Sequence, residues 1–168
     1  GSNAGHTVVV DGETYKFHVI PSGMLYPNNI CFVGPGTVID PKILLEEIKE
    51  LKNRNIDVSG LKVSTQAHVT MPYHLAIDQA EDRGRGKQKI GTTGRGIGPT
   101  YADKADRLGI RISDLIEPSE LEEKINWLVL RKNVILERLY SLPPEDPKKV
   151  FEEYKIYGEN LKSYVADT

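Results

Sequence analysis

Between Ile90 and Pro99 the chain reads IGTTGRGIGP, and four glycines in eight positions restrict what can be built there. Glycine has no Cβ to hold a backbone away from a ligand, and it reaches φ > 0 at little cost. Thr92 and Thr93 add hydroxyls and Arg95 a guanidinium, while consecutive backbone N–H groups can form the concave nest that suits an anion. The surrounding charge agrees. From Arg83 to Arg111 there are eight Lys or Arg (Arg83, Arg85, Lys87, Lys89, Arg95, Lys104, Arg107, Arg111) against two acids, Asp103 and Asp106. This island of +6 lies in a chain of net −2, with −4 on either side, so the positive field is local and points to a bound anion. A glycine-rich loop can equally be a plain connection, and neither familiar nucleotide fingerprint is met. No Gly-Lys-Ser/Thr follows a glycine as a Walker A loop requires, and KQKIGTT, not an apolar strand, leads into the glycines.

At 168 residues the expectation is one domain or part of a larger one. Apolar residues come in short runs, none approaching the ~18 to 20 of a membrane span. No basic start followed by an apolar run opens the sequence, so no secretory leader is expected. Cys31 is the only cysteine, which excludes an intrachain disulfide and makes a reducing, cytoplasmic setting the default. Near-neutral net charge, with Tyr101 the only aromatic between positions 83 and 111, argues against a nucleic-acid partner. Gly1 to Ala4 can be read as an expression remnant or as native residues, since no methionine opens the chain.

The patterning predicts an α/β fold. Thr7–Val10 and Thr14–Ile20 flank Asp11-Gly12 as a β-hairpin, with Tyr15, Phe17 and Val19 alternating against Thr14, Lys16 and His18. Ile30–Val33 reads as a short buried strand and Thr37–Ile39 as another extended piece. Asp40 caps a helix that starts with Pro41, whose stripe is Leu44, Leu45, Ile48 and Leu51 against Glu46, Glu47, Lys49 and Glu50. Leu61–Ser64 then completes a strand, helix, strand unit. A helix is expected from Pro72 to Asp82 with Tyr73, Ile77 and Ala80 on one side, before the glycine-rich loop interrupts regular structure. Ser119 and Glu122 form a capping box for a six-turn helix to Tyr140, its stripe Leu121, Ile125, Leu128, Ile135 and Leu139. Prolines 143, 144 and 147 break it, and a last helix runs from Lys148 to Tyr164. The expected organisation is an α/β segment at 1–82, part of a mostly parallel sheet with packed helices. A glycine-rich basic phosphate-binding region follows at 83–111 and a helical subdomain at 112–168.

Two stretches, NAGHT at Asn3 to Thr7 and IGTTGRGIGPTYADKADRLGIRISDL from Ile90 to Leu115, closely resemble the adenylosuccinate synthetase family. HVIPSGML at 18–25 and AHVTMPYH at 67–74 are similar to the same family in the same order. The resemblance covers essentially the whole chain. It implies a GTP-dependent carbon–nitrogen ligase of purine (AMP) biosynthesis: IMP, L-aspartate and GTP give adenylosuccinate, GDP and phosphate, with Mg²⁺. In the family an aspartate removes the N1 proton of IMP while GTP phosphorylates its 6-oxygen, and the amine of L-aspartate displaces that phosphate. His6 matches the histidine that contacts the transferring phosphoryl group and acts as acid, a task suited to an imidazolium. Gly5 matches the residue whose backbone carbonyl binds Mg²⁺. Asn3 and Thr93 match contacts to the IMP phosphate. Asn3, Ala4, Gly5 and His6 line the IMP side, and Gly5, His6 and Thr7 the GTP side. Arg107 matches an arginine that reaches into the neighbouring subunit's IMP site, which implies a homodimer.

Arg95 is expected to order the loop and Lys104 to pair with Asp103 or Asp106. His18, His68 and His74 have no standard metal spacing. Trp127 reads as core or interface and Cys31 as a small buried apolar residue. The family's N-terminal loop, with the catalytic aspartate and a phosphate-binding lysine, is not in these residues, nor are its later substrate-gripping segments. The chain therefore reads as a fragment expected to be inactive alone, its sheet left with an unpaired edge. The alternative is a non-catalytic phosphate- or nucleotide-binding and dimerisation module.

Overall fold

The computed structural model describes residues 1–84 and 91–168, so Arg85, Lys87, Lys89 and Ile90 of the basic, glycine-rich stretch lie outside the described residues. Strands β1 (His6–Val10) and β2 (Glu13–Phe17) pair antiparallel, from Val10 opposite Glu13 to His6 opposite Phe17. Asp11 and Gly12 both have positive φ, +50° and +82°, as a two-residue turn matched to strand twist requires. Tyr15 and Phe17 point into the core as the alternation predicts. The Arg54 guanidinium lies 4.3 Å from the centre of the Tyr15 ring and donates to the Thr14 carbonyl at 3.0 Å.

Strand β3 (Cys31–Val33), helix α1 (Pro41–Asn53) and strand β5 (Leu61–Ser64) form the expected crossover unit, with β3 and β5 paired in parallel. Asp40 caps α1 by accepting from the N–H groups of Lys42 and Ile43 at 3.0 and 3.3 Å. Between β3 and α1 runs β4 (Val38–Ile39), which pairs in parallel with β6 (His68–Val69). That pair is separate from the β3–β5 sheet, which gains a third strand, β7 (Val165–Ala166), running parallel to β5 after the last helix. Two positions correct the sequence reading. Phe32, expected inside a buried strand, is 57% exposed, because only one face of β3 is covered. Glu47, expected on the polar face of α1, is buried: its carboxylate accepts from the consecutive N–H groups of His18, Val19 and Ile20 and so ties the end of the hairpin to α1.

Helix α2 (Pro72–Gly84) buries Tyr73, Ile77 and Ala80 as expected. The glycine motif is not loop throughout, since its last three residues, Ile97, Gly98 and Pro99, form the first turn of α3 (Ile97–Ala105). Short α4 (Ile112–Leu115) leads to α5 (Pro118–Tyr140) and α6 (Pro147–Leu161). The capping box does not form. Pro118 is pre-set for the first helical position, so α5 opens at Glu117 and Ser119 already lies inside the helix. The buried stripe is Leu121, Ile125, Leu128, Val129 and Leu136, while Ile135 is half-buried and Leu139 is 68% exposed. Trp127 is not core either, being 55% exposed with the Arg131 guanidinium 5.8 Å from its ring. Asn133 closes the α5–α6 hairpin by exchanging two 2.8 Å hydrogen bonds with the backbone of Glu145. One hydrophobic cluster runs from Tyr15 in the hairpin to Tyr164 after α6.

Helix α6 packs closely on α4 because Gly158 faces the Leu115 carbonyl, where an added Cβ would come within 2.1 Å of the oxygen. Elsewhere in a helix, Gly→Ala stabilises by about 0.5–1 kcal/mol. Here the overlap reverses the sign: Gly158→Ala is expected to destabilise by about 1–3 kcal/mol, the cost of overpacking, measured as a lowered urea midpoint.

Candidate functional site

The residues around the glycine motif are held by contacts from far along the chain. Helix α2 supplies three of them. Gln79 Nε2 donates to the Gly94 carbonyl at 3.3 Å, and Asp78 Oδ2 accepts the buried Gly96 N–H at 2.9 Å. Gly96 also lies directly on the α2 backbone at His74, where a Cβ would sit 2.9 Å from the His74 carbonyl carbon and the Leu75 nitrogen. Gly91, Gly94 and Gly96 all have φ between +65° and +73°, a region that side chains with a Cβ resist. Gly96 therefore answers to the fold's own backbone. The Gly96 N–H, read as part of an anion nest, is already bonded to a protein carboxylate. Thr92 and Thr93 are left exposed at a cavity of about 320 Å³ that Gln79, Asp82, Arg83 and Gly94 also line.

Arg95 does order this region, by donating to the Ser2 carbonyl. That bond brings the segment that opens NAGHT against the glycine motif, and Ser2 is buried while Asn3, Ala4, Gly5, His6 and Thr7 are all exposed. Gly5 lies beside His18, whose Nε2 would be 3.4 Å from a Cβ there. His18 is fixed in turn by Glu47, 3.3 Å from its Nδ1. The His6 ring rests 5.6 Å from that of Phe17. Arg107 lies two residues beyond the far end of α3, a helix of nine residues, about 13 Å long, that separates it from the loop. It lines a separate cavity of about 210 Å³ with Lys104, Arg111, Lys124, His68 and Asp114. Thr93 and Arg107 thus do not share a pocket within one chain. Arg107 adopts φ +62°, a conformation that costs a side-chain-bearing residue about 1–2 kcal/mol. A third cavity, about 530 Å³ between residues 24–30 and 55–62, holds none of the predicted site residues.

Beneath the motif lies a buried polar chain that sequence reasoning missed. His74 Nδ1 accepts the Met71 N–H at 3.0 Å, so its proton sits on Nε2, which donates to Asp103 Oδ2 at 2.8 Å. The other oxygen of Asp103 accepts from Lys132 on α5. Thr100 donates its hydroxyl to the Gly96 carbonyl at 2.7 Å and lies 3.1 Å from His74 Nδ1, linking the chain to the loop. Asp103 is therefore not the partner of Lys104, which donates instead to the Pro35 carbonyl at 3.0 Å. Burial works to raise the Asp103 carboxyl, but the bonds from His74 and Lys132 outweigh it and hold it below the ordinary range. Burial holds the His74 imidazole below its ordinary value, against the pull of Asp103. His68 is lowered by burial and then by Lys104 and Arg111 nearby. These partners lie 29 residues apart, a separation at which no local pattern pairs them.

The adenylosuccinate synthetase family model matches residues 1–168. Adenylosuccinate synthetases of Crocosphaera subtropica and Nostoc punctiforme are 59% and 60% identical to this chain over 168 residues, all of this chain and 38% of each relative. The structure of fully ligated adenylosuccinate synthetase from Plasmodium falciparum superposes with a TM-score of 0.85 at 34% identity, covering 99% of this chain and 38% of that one. The chain thus spans about 38% of the length of the relatives it matches.

The neutral His74 sets a pH dependence. Its folded pKa lies below 6.5, so as pH falls the unfolded chain takes up the proton first, and stability present above about 6.5 is lost below it. Asp103 acts with the same sign lower down, its contribution present above about 3.8 and lost as pH falls through its folded value. The melting temperature is expected to fall between about pH 7.5 and 5.5, and less steeply in His74→Gln, with His68 accounting for part of the remaining slope.

Proposed function

The chain belongs to the adenylosuccinate synthetase family, and on that footing we propose that the full-length protein condenses IMP with L-aspartate at the expense of GTP. In the balanced reaction the γ-phosphoryl of GTP passes to O6 of IMP. The aspartate amine then bonds to C6, the C6–O bond breaks, and phosphate leaves beside GDP and adenylosuccinate. The observation that carries this reading is the bond from Arg95 to the Ser2 carbonyl, which fastens the residue immediately before Asn3 to the glycine motif and so supports the two stretches working side by side. Asn3 and the Thr93 hydroxyl bind the IMP phosphate, with Ala4, Gly5 and His6 along the same nucleotide. Gly5, His6 and Thr7 face GTP, and His6 holds the proton that meets the oxygen gaining charge as the phosphoryl group moves.

Mg²⁺ fits these residues only as an ion that arrives with nucleotide. Among the described residues no group of three or more His, Cys, Asp or Glu could hold a metal, and the exposed Gly5 offers a single carbonyl oxygen. Such an ion keeps phosphate oxygens and waters as its other ligands and would neutralise charge on the transferring group. Arg107 serves the IMP site of a partner subunit, so the working unit is a homodimer. Its distance from Thr93 along α3 and the cost of its backbone conformation both suit a side chain kept for a ligand its own chain does not hold. No helix among the described residues is long and apolar enough to cross a membrane, and we place the enzyme in the cytoplasm.

The test is adenylosuccinate formation by the full-length protein, with Thr93→Val and Arg107→Gly as variants. Arg107→Gly relieves the backbone and is expected to melt no lower than the parent. The loss of charge-assisted bonds to phosphate should raise KM for IMP about 10- to 100-fold. Equal binding of IMP and inorganic phosphate, with no turnover, would favour a non-catalytic phosphate-binding module instead.

A further inference from the structure

Asp78 has no role in the reaction as derived so far, yet its surroundings are specific. It lies one turn beyond His74 on α2 and is buried. Its Oδ2 accepts the N–H of Gly96, the residue that opens α3 in a left-handed conformation at φ +73°. Gly96 has no side chain to cap the helix, and the bond from α2 goes to the N–H of Gly96 itself, one of the helix's unpaired first donors. An anion is stabilised at a helix N-terminus by the exposed N–H groups and the aligned peptide dipoles. Here the protein fills that position itself. The next residue, Gln79, holds the Gly94 carbonyl, and Thr100 returns from α3 to the Gly96 carbonyl. Residues 94 and 96 are thus fastened to α2 on either side of Arg95, whose guanidinium is engaged with Ser2. Thr92 and Thr93, immediately before the fastened pair, remain as exposed donors.

We infer that Asp78 is a positioning residue for the nucleotide phosphate: by gripping the Gly96 N–H at the start of α3, it sets where the Thr93 hydroxyl stands and leaves phosphate recognition to the threonines. The inference rests on the reading that Thr93 meets the phosphate of IMP. Its consequence is selective. Loss of the grip acts first on the Thr93 contact and reaches the GTP side, built on Gly5, His6 and Thr7, only indirectly through the Arg95–Ser2 bond, while His18 still bounds that side.

The experiment compares steady-state kinetics of the full-length protein with those of Asp78→Ala, Asp78→Asn and Gln79→Ala, alongside amide hydrogen exchange of the peptide spanning 91–101. Asp78→Ala is expected to raise KM for IMP about tenfold or more with KM for GTP within about twofold. Asp78→Asn, whose amide oxygen can still accept from Gly96, should restore most of that loss. Gln79→Ala, at the rim of the loop where folding is not at stake, should raise KM for IMP by about two- to threefold. Exchange in 91–101 should quicken in Asp78→Ala and not in Asp78→Asn. An equal rise in both KM values, no change in Gln79→Ala, or an Asn variant as impaired as the Ala variant would overturn the inference. If the parent fails to turn over IMP, the proposed function falls, and the exchange comparison still decides whether Asp78 holds the loop.

Discussion

A single buried carboxylate, Asp103, determines how three helices meet. It takes the Nε2–H of His74 on α2 with one oxygen and the ammonium of Lys132 on α5 with the other, from a position inside α3. Its backbone carbonyl also accepts the N–H groups of Leu108 and Gly109, which turns the chain out of α3 just after Arg107. Removing one partner from such a pair costs about 3–5 kcal/mol, because the remaining charge is stranded away from water. The imidazole contributes without carrying charge, since the Met71 amide fixes it in the neutral tautomer that donates to Asp103. Helix α3 is thereby a rigid strut whose start carries the glycine motif and whose end carries an arginine.

The same logic of polar groups from one element closing the backbone of another recurs at the hairpin. Glu47 reaches from α1 to three consecutive amides at positions 18, 19 and 20 and to the ring of His18, beside which Gly5 lies. The N-terminal segment is therefore bounded by His18 on one side and tied by Arg95 on the other. Every residue proposed to touch nucleotide is exposed; of the residues that hold the segments around them, Glu47, His74, Asp78 and Asp103 are buried, Arg95 and His18 half-buried and Gln79 exposed. Asp78, Glu47, His74 and Asp103 carry acceptors that hold these elements, Arg95 is spent on the Ser2 carbonyl, and the Thr92 and Thr93 hydroxyls are left exposed. The left-handed backbone of Arg107 fits the same division, as a local cost borne by a residue whose side chain is proposed to meet a ligand.

Much of the fold was legible locally. The Asp-Gly turn, the alternation through Tyr15 and Phe17, the Asp40-Pro41 helix start and the crossover to Leu61–Ser64 each follow from a few neighbouring residues, and each formed as read. The misreadings have a common cause. Glu47 looks like solvent-facing charge until the three amides it serves are placed beside it, and Lys104 looks like the partner of Asp103 until His74 and Lys132 are. Leu139 and Trp127 fit a helical stripe but fall where α5 has no covering element. Of the site, Asn3 to Thr7, Thr93 and Arg107 are proposed from motif and resemblance alone, and the structure shows them exposed. Apart from Arg95, the residues that hold them were not legible in the sequence.

What the sequence determined by itself was therefore chemistry and local geometry: which stretches could curl, turn or coil, and which groups could meet an anion. These depend on side-chain shape and backbone preference over a few residues. Only the tertiary structure decided which polar groups are consumed internally and which remain for a ligand. That allocation depends on partners 18 to 93 positions apart, and a buried donor or acceptor takes whichever partner packing delivers, a choice that neighbours in the chain do not encode.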